Sequence, residues 1–73
     1  MNSLFKNRFM IAYYTEDSQY LDNDFCRTEK EAKEQAEWHL SDQYKRFGLK
    51  LVAKIFNELR YKPDDPGIEI RIV

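Results

Sequence analysis

The spacing of apolar positions changes along the chain, and each change marks a new element. Phe9, Ile11 and Tyr13 alternate through "RFMIAYYT" (8–15), a run rich in aromatic and β-favouring residues that predicts a strand. The polar "EDSQ" (16–19) predicts a turn, and "YLDNDFCR" (20–27) predicts a weaker partner strand, since Asp and Asn are depleted in sheets. From Thr28 the period lengthens. Ala32, Ala36, Leu40, Tyr44 and Phe47 recur at spacings of four and three, which draws a narrow apolar stripe on a helix. Thr28 followed by Glu31 is a capping-box spacing, no Pro or Gly interrupts 29–47, and Gly48 supplies the C-terminal stop.

Alternation returns in "LKLVAKIF" (49–56). Leu49, Leu51, Ala53 and Ile55 are expected inward, with Lys50, Val52, Lys54 and Phe56 on the other side. The phase shifts near Phe56, so 57–62 is expected to continue the strand after a bulge. "PDDPG" (63–67) punctuates a turn, and "IEIRIV" (68–73) closes as a strand with Ile68, Ile70 and Ile72 inward. The expected architecture is α+β: a small β-β-α-β-β domain, mainly antiparallel, with one helix packed on one face. A right-handed crossover is expected if the strands flanking the helix are parallel neighbours. The second sheet face, with Lys54, Phe56, Glu69 and Arg71, is expected to be partly open to water. At 73 residues the chain makes one domain, 1–73, with residues 1–7 as a loose N-terminal arm.

The single cysteine, Cys26, allows no intramolecular disulfide and points to a reducing cytoplasm. No apolar run approaches the roughly 18 residues of a membrane span, and Lys6, Asn7 and Arg8 interrupt any signal-peptide core. A net charge of −1 argues against binding nucleic acid by counterion release alone. The charge is unevenly placed. Between Thr15 and Glu37 eight acids face three bases, whereas between Lys45 and Lys62 six bases face Glu58 alone, so the two ends suit partners of opposite sign.

Catalytic constellations are missing from the pattern. Nothing flanking Cys26 activates a thiol, and a small buried strand residue is the better account of it. The lone His39 borders the apolar stripe, where a packed or hydrogen-bonded ring is expected. One His, one Cys and scattered carboxylates give no metal-ligand spacing, and the two glycines, Gly48 and Gly67, serve as structural stops rather than a phosphate loop. No enzymatic activity, cofactor or metal is expected.

Trp38 carries more information. At about 100° per residue it falls opposite the centre of the stripe, beside Glu31, Glu34, Ser41 and Lys45. Two readings stand equal: Leu4 and Phe5 of the arm fold over it, or it anchors a partner, as exposed Trp does at interfaces. Five Tyr, five Phe and one Trp exceed what so thin a core requires. A nucleic-acid surface is the alternative, with Lys50, Lys54, Arg60, Lys62 and Arg71 lining a basic sheet face and Phe56 and Tyr61 as stacking platforms. Against it, the same face reads equally well as solvated Glu69–Lys pairs, and neither an RNP-type motif nor a helix-turn-helix signature is present.

The segment Thr28-x-x-Glu31-Ala32-x-Glu34-x-Ala36-Glu37-Trp38 closely resembles the helix start of small phage proteins that inhibit bacterial RNA polymerase, the T-odd coliphage gene-two inhibitor type. In length and general character the chain is also similar to a small transcription regulator of a Xanthomonas-infecting phage. Much of the likeness is cap and helix physics; Ala36-Glu37-Trp38 goes beyond it. The resemblance implies a stoichiometric, non-enzymatic inhibitor in the infected cell's cytoplasm. It would dock on the polymerase large subunits, β′ and/or β, and interfere with sigma or promoter engagement. By position Glu31, Glu34, Glu37 and Trp38 match the helix motif. Lys54 lies near the family's basic strand position, where arginine is favoured, with Lys50 and Arg60 as further contacts of the basic end. The chain departs from the family in a longer helix-to-strand segment and an extra N-terminal hairpin. An inhibitor of another host defence enzyme is a further alternative within the same phage class.

Overall fold

A computed structural model describes residues 8–72 of the chain. The elements follow in the order β1 (Phe9–Thr15), β2 (Tyr20–Cys26), α1 (Glu29–Phe47), β3 (Leu51–Asn57) and β4 (Ile68–Arg71). All strand pairings are antiparallel and the sheet order is β2-β1-β3-β4, with the helix on one face: a small α+β fold. The strands flanking the helix, β2 and β3, are separated by β1, so the crossover passes over a strand instead of joining neighbours.

Each boundary has a local cause. Ser18 at φ 71° and the Thr15–Gln19 backbone bond close the first hairpin. A register shift between Tyr13 and Tyr14 absorbs the extra residue, Leu21, on β2. Thr28 Oγ1 accepts the Glu31 N–H at 3.1 Å, while the Glu31 carboxylate takes the Arg27 N–H at 3.3 Å, one residue before the expected capping-box partner. At the other end Gly48 adopts φ 67° and donates to the Tyr44 carbonyl.

The core is thin. Ile11, Tyr13, Leu51, Ala53 and Ile55 from the sheet meet Ala32, Ala36 and Leu40 from the helix, with Phe9, Cys26, Ile70 and Ile72 at the margin. The alanines let the helix lie close to the sheet, mainly over β3. Several expectations are corrected. Tyr44 and Phe47 continue the stripe but are 45% and 63% exposed, because the last helical turns project past the sheet's packed centre. Leu49 precedes β3 and is exposed, so the inward alternation begins at Leu51. The strand does not resume over 57–62. Asn57 instead bonds to Leu59 through its side chain and to Arg60 through its carbonyl, which turns the chain away. Ile68 lies at the open edge and is partly exposed. The proposed arm, 1–7, lies outside the described residues.

Gly67 sets how closely the last turn approaches β3. It has φ +70°, and an added Cβ would sit 2.7 Å from Phe56 Cε1 and 2.8 Å from the Ile55 carbonyl oxygen. Gly48 has a similar φ but nothing within 4 Å of such a Cβ. In urea unfolding, Gly67→Ala should therefore cost about 2 kcal/mol or more, and Gly48→Ala only about 1 kcal/mol. Equal losses would show that β4 yields freely at Phe56.

Candidate functional site

The short link from β2 to the helix determines which side chains meet. Only Arg27 and Thr28 separate Cys26 from Glu29, so the first helical turn stands beside the end of β2. Glu31, Glu34 and Trp38, spaced three and four apart, share the helix flank above that strand. With Phe25, Cys26, Arg27 and Gln35 they line a shallow, open hollow. Gln35 Nε2 donates to Asp24 Oδ2 at 3.2 Å and ties the floor to the wall. Asp22 and Asp24 stand opposite Tyr13 and Ile11 in the β1–β2 register, so both side chains belong to the helix side of the sheet. Trp38 is 62% exposed at the rim. The alternative in which Leu4 and Phe5 cover it concerns residues outside those described.

Glu37 does not join this group. It borders a separate hollow on the far flank of the helix, with Leu40, Ser41, Ile70, Arg71 and Ile72. Adjacency in sequence misleads here, because one residue turns the helix by about 100°. The basic candidates are likewise not gathered. Lys50 lies before β3, beside Glu16 and Asp17 of the first hairpin. Lys54 is on the sheet face away from the helix, its Nζ 5.0 Å from the Tyr14 ring centroid. Arg60 follows β3 and shares a mixed-charge hollow with Lys62, Asp64 and Asp65. A strand's length separates Lys50 from Arg60, and neither is near Trp38's hollow.

The face away from the helix carries a row of rings, of which Phe56 and Tyr61 are expected from the sequence and the others are not. Tyr14 and Tyr20 meet edge-on at 5.9 Å, and Phe56 and Tyr61 at 5.5 Å. Arg8 sits 4.2 Å over the Phe25 ring and grips Glu58 through Nε at 2.6 Å and a second nitrogen at 3.2 Å. Arg71 is paired with Glu69. The signal for this row was available as the second alternation of β1 and β2, through Met10, Tyr14, Tyr20 and Phe25.

Ionisation follows burial. The Cys26 thiol is pushed up by desolvation, and then by Asp24 and Glu31, so it is held neutral, the reverse of what a nucleophile needs. The Arg8 guanidinium is held more firmly protonated by its hydrogen bond to Glu58. Tyr13 is buried with its ring 4.3 Å from that of His39, and its hydroxyl has no hydrogen-bond partner among the described residues. Burial, then the charges of Asp24, Cys26 and Asp22, push its phenol well up. Among the described residues no three His, Cys, Asp or Glu side chains converge on a metal-sized site. No described helix is long and apolar enough to cross a membrane.

Comparison with protein-family models, with curated proteins and with solved structures gave no match.

For Tyr13 the folded phenol titrates above the unfolded value of 10.0, so its contribution to stability is complete below pH 10 and is lost as pH rises beyond it. Unfolding followed against pH should show an alkaline decline that Tyr13→Phe makes shallower. Near neutrality the same substitution should cost less than about 1 kcal/mol, since an unbonded hydroxyl is removed. A loss at neutral pH of more than about 2 kcal/mol would mean that the hydroxyl holds a partner.

Proposed function

We propose that the chain is a phage-type protein that binds host bacterial RNA polymerase stoichiometrically and inhibits or redirects transcription, at initiation, by interfering with sigma or promoter engagement. The observation that carries the reading is Trp38, largely exposed in a hollow that it lines with the carboxylates of Glu31 and Glu34. A large aromatic with acidic neighbours at the rim of a hollow suits a basic protein segment: the ring supplies buried area, and the carboxylates supply orientation and encounter rate. The identity of the partner rests on the resemblance of residues 28–38 to polymerase inhibitors. Its place of action is then the cytoplasm of the infected cell.

Direct nucleic-acid binding is the weaker reading. The sheet face has rings fit for stacking, but Arg8 and Arg71 are each engaged by a carboxylate, and of Lys50, Lys54 and Arg60 only Lys54 lies on β3, the others before and after it. Trp38 and its acids lie on the other side of the sheet.

Calorimetric titration into core RNA polymerase, with mixed-sequence DNA alongside, tests the proposal. Saturable one-to-one binding to polymerase with no heat from DNA is expected. Trp38→Ala should keep the fold and weaken binding by about 2 kcal/mol or more. Silence with polymerase would turn the search to another host enzyme, and salt-dependent heat with DNA would move the site to the sheet face.

A further inference from the structure

The β2 edge offers a second kind of contact beside the Trp38 hollow. β2 is an edge strand and, among the described strands, pairs only with β1, so along its other side every second residue turns its backbone N–H and C=O away from any described strand. The Asn23 N–H donates to Asp22 Oδ1 at 2.8 Å, a local bond that an incoming strand would replace. The irregularity near Tyr14 spoils the start of the strand, but Asp22 to Cys26 runs in regular register with Tyr13 to Phe9. An edge of this kind accepts another strand by backbone pairing.

The side chains beside the edge decide which strand it accepts. On the helix side stand Asp22 and Asp24, followed by Glu31, Glu34 and Trp38, with Arg27 as the one cation lining the hollow among the described residues. Beneath them the buried Tyr13 hydroxyl, subject to the charges of Asp24 and Asp22, is left without a hydrogen-bond partner among the described residues. A second copy of β2 is a poor occupant, because antiparallel self-pairing would set these carboxylates against each other. A strand bearing Lys or Arg at every second position suits them. Its alternate side chains recur about every 6.8 Å, the same interval that separates Asp22 from Asp24. Cationic heads would meet the carboxylates, with the Trp38 ring available to cover a lysine or arginine stem. The intervening side chains would fall on the far face beside Tyr20 and Phe25, where β-branched or aromatic residues fit.

We propose that β2 takes up an extended segment of its partner as a fifth strand, one that alternates basic and apolar residues, with its basic side chains over Asp22, Asp24, Glu31 and Glu34. This rests on the reading of the Trp38 flank as the docking side.

The probe is a nine-residue peptide alternating lysine and valine, compared with the same peptide N-methylated at its valines and with a glutamate–valine version. Amide hydrogen exchange of the full chain is the readout. The lysine–valine peptide should slow exchange at outward-facing amides between Asp22 and Cys26 by roughly tenfold or more at saturation, and the other two should not. Asp22→Lys/Asp24→Lys, exposed positions that leave the core intact, should weaken the peptide by roughly 30-fold. Equal protection by the N-methylated peptide, or none by any peptide, overturns strand addition. Polymerase binding by the same double variant separates the two claims. Loss with Trp38→Ala but not with Asp22→Lys/Asp24→Lys overturns the edge contact and leaves the polymerase reading standing. If the unmodified chain does not bind polymerase, that reading fails and the peptide experiment alone decides for or against the edge.

Discussion

One helix about 10 Å across cannot cover four strands set about 4.8 Å apart, and most of this molecule follows from that mismatch. The helix settles over β3, where Ala32 and Ala36 allow a close approach, and Leu40 fills what remains. The outer strands are then only half sheltered. On the β4 side the shortfall is met by Ile70 and Ile72 at the core's margin. On the β2 side only Cys26 reaches the core's margin, and burial is given up at the other inward positions, where Asp22 and Asp24 are carboxylates. A hydrophobe there would be left uncovered beside an open edge. An acid stays solvated and still satisfies Gln35.

The face without a helix solves the same shortage differently. Ala12 and Val52 point away from the core yet are buried; Asn23 and Lys54 flank the first, Tyr14 and Arg71 the second. Small residues at the centre and long or aromatic ones around them make a second, shallow apolar layer roofed by side chains alone. Rings meeting edge-on and the guanidinium over Phe25 serve that layer. Aromatic excess in the composition therefore has a structural account on this face, and exposure of a ring here says little about partners. Trp38 is different. No described side chain stacks on it, and it shares its hollow with Glu31, Glu34 and Arg27.

How much of this was legible in the sequence depends on the kind of signal. The helix from Glu29 to Phe47 was fully readable, since Thr28 and Gly48 encode its ends through local hydrogen bonds that need no tertiary partner. The facing of β1 and β3 was readable from alternation. What alternation does not encode is whether anything lies opposite an inward position, which is why Leu49, Tyr44, Phe47 and Ile68 had the right phase and still lie exposed. The end of β3 was misread because the Asn57 side chain and carbonyl cap a turn through bonds no periodicity registers. For the candidate site, helical spacing put Glu31 and Glu34 on the flank of Trp38, where they lie, but also Ser41, which borders the far hollow with Glu37. Glu37 came from the likeness of residues 28–38 and the three basic residues from a shared basic strand, and the fold gathers neither at that flank.

The distribution of charge gains a meaning from the topology that its arithmetic lacks. The acidic stretch from Thr15 to Glu37 folds into the first hairpin and the first half of the helix, which brings Asp22, Asp24, Glu31 and Glu34 to the β2 side, while Glu37 faces β4 and Glu16 and Asp17 lie by Lys50. The basic stretch disperses along β3 and the turn beyond it, where Lys50 lies beside Glu16 and Asp17 and Lys54 sits over Tyr14. The result is a molecule with one concentrated field and one diluted one. A concentrated negative field beside backbone groups that no described strand pairs both discourages self-association of that edge and favours a basic chain approaching it, since like charges opposed across a sheet repel as surely as unlike charges attract. The same carboxylates thus perform the protective task that any exposed edge demands and, at no cost in core packing, define the kind of partner the edge can admit.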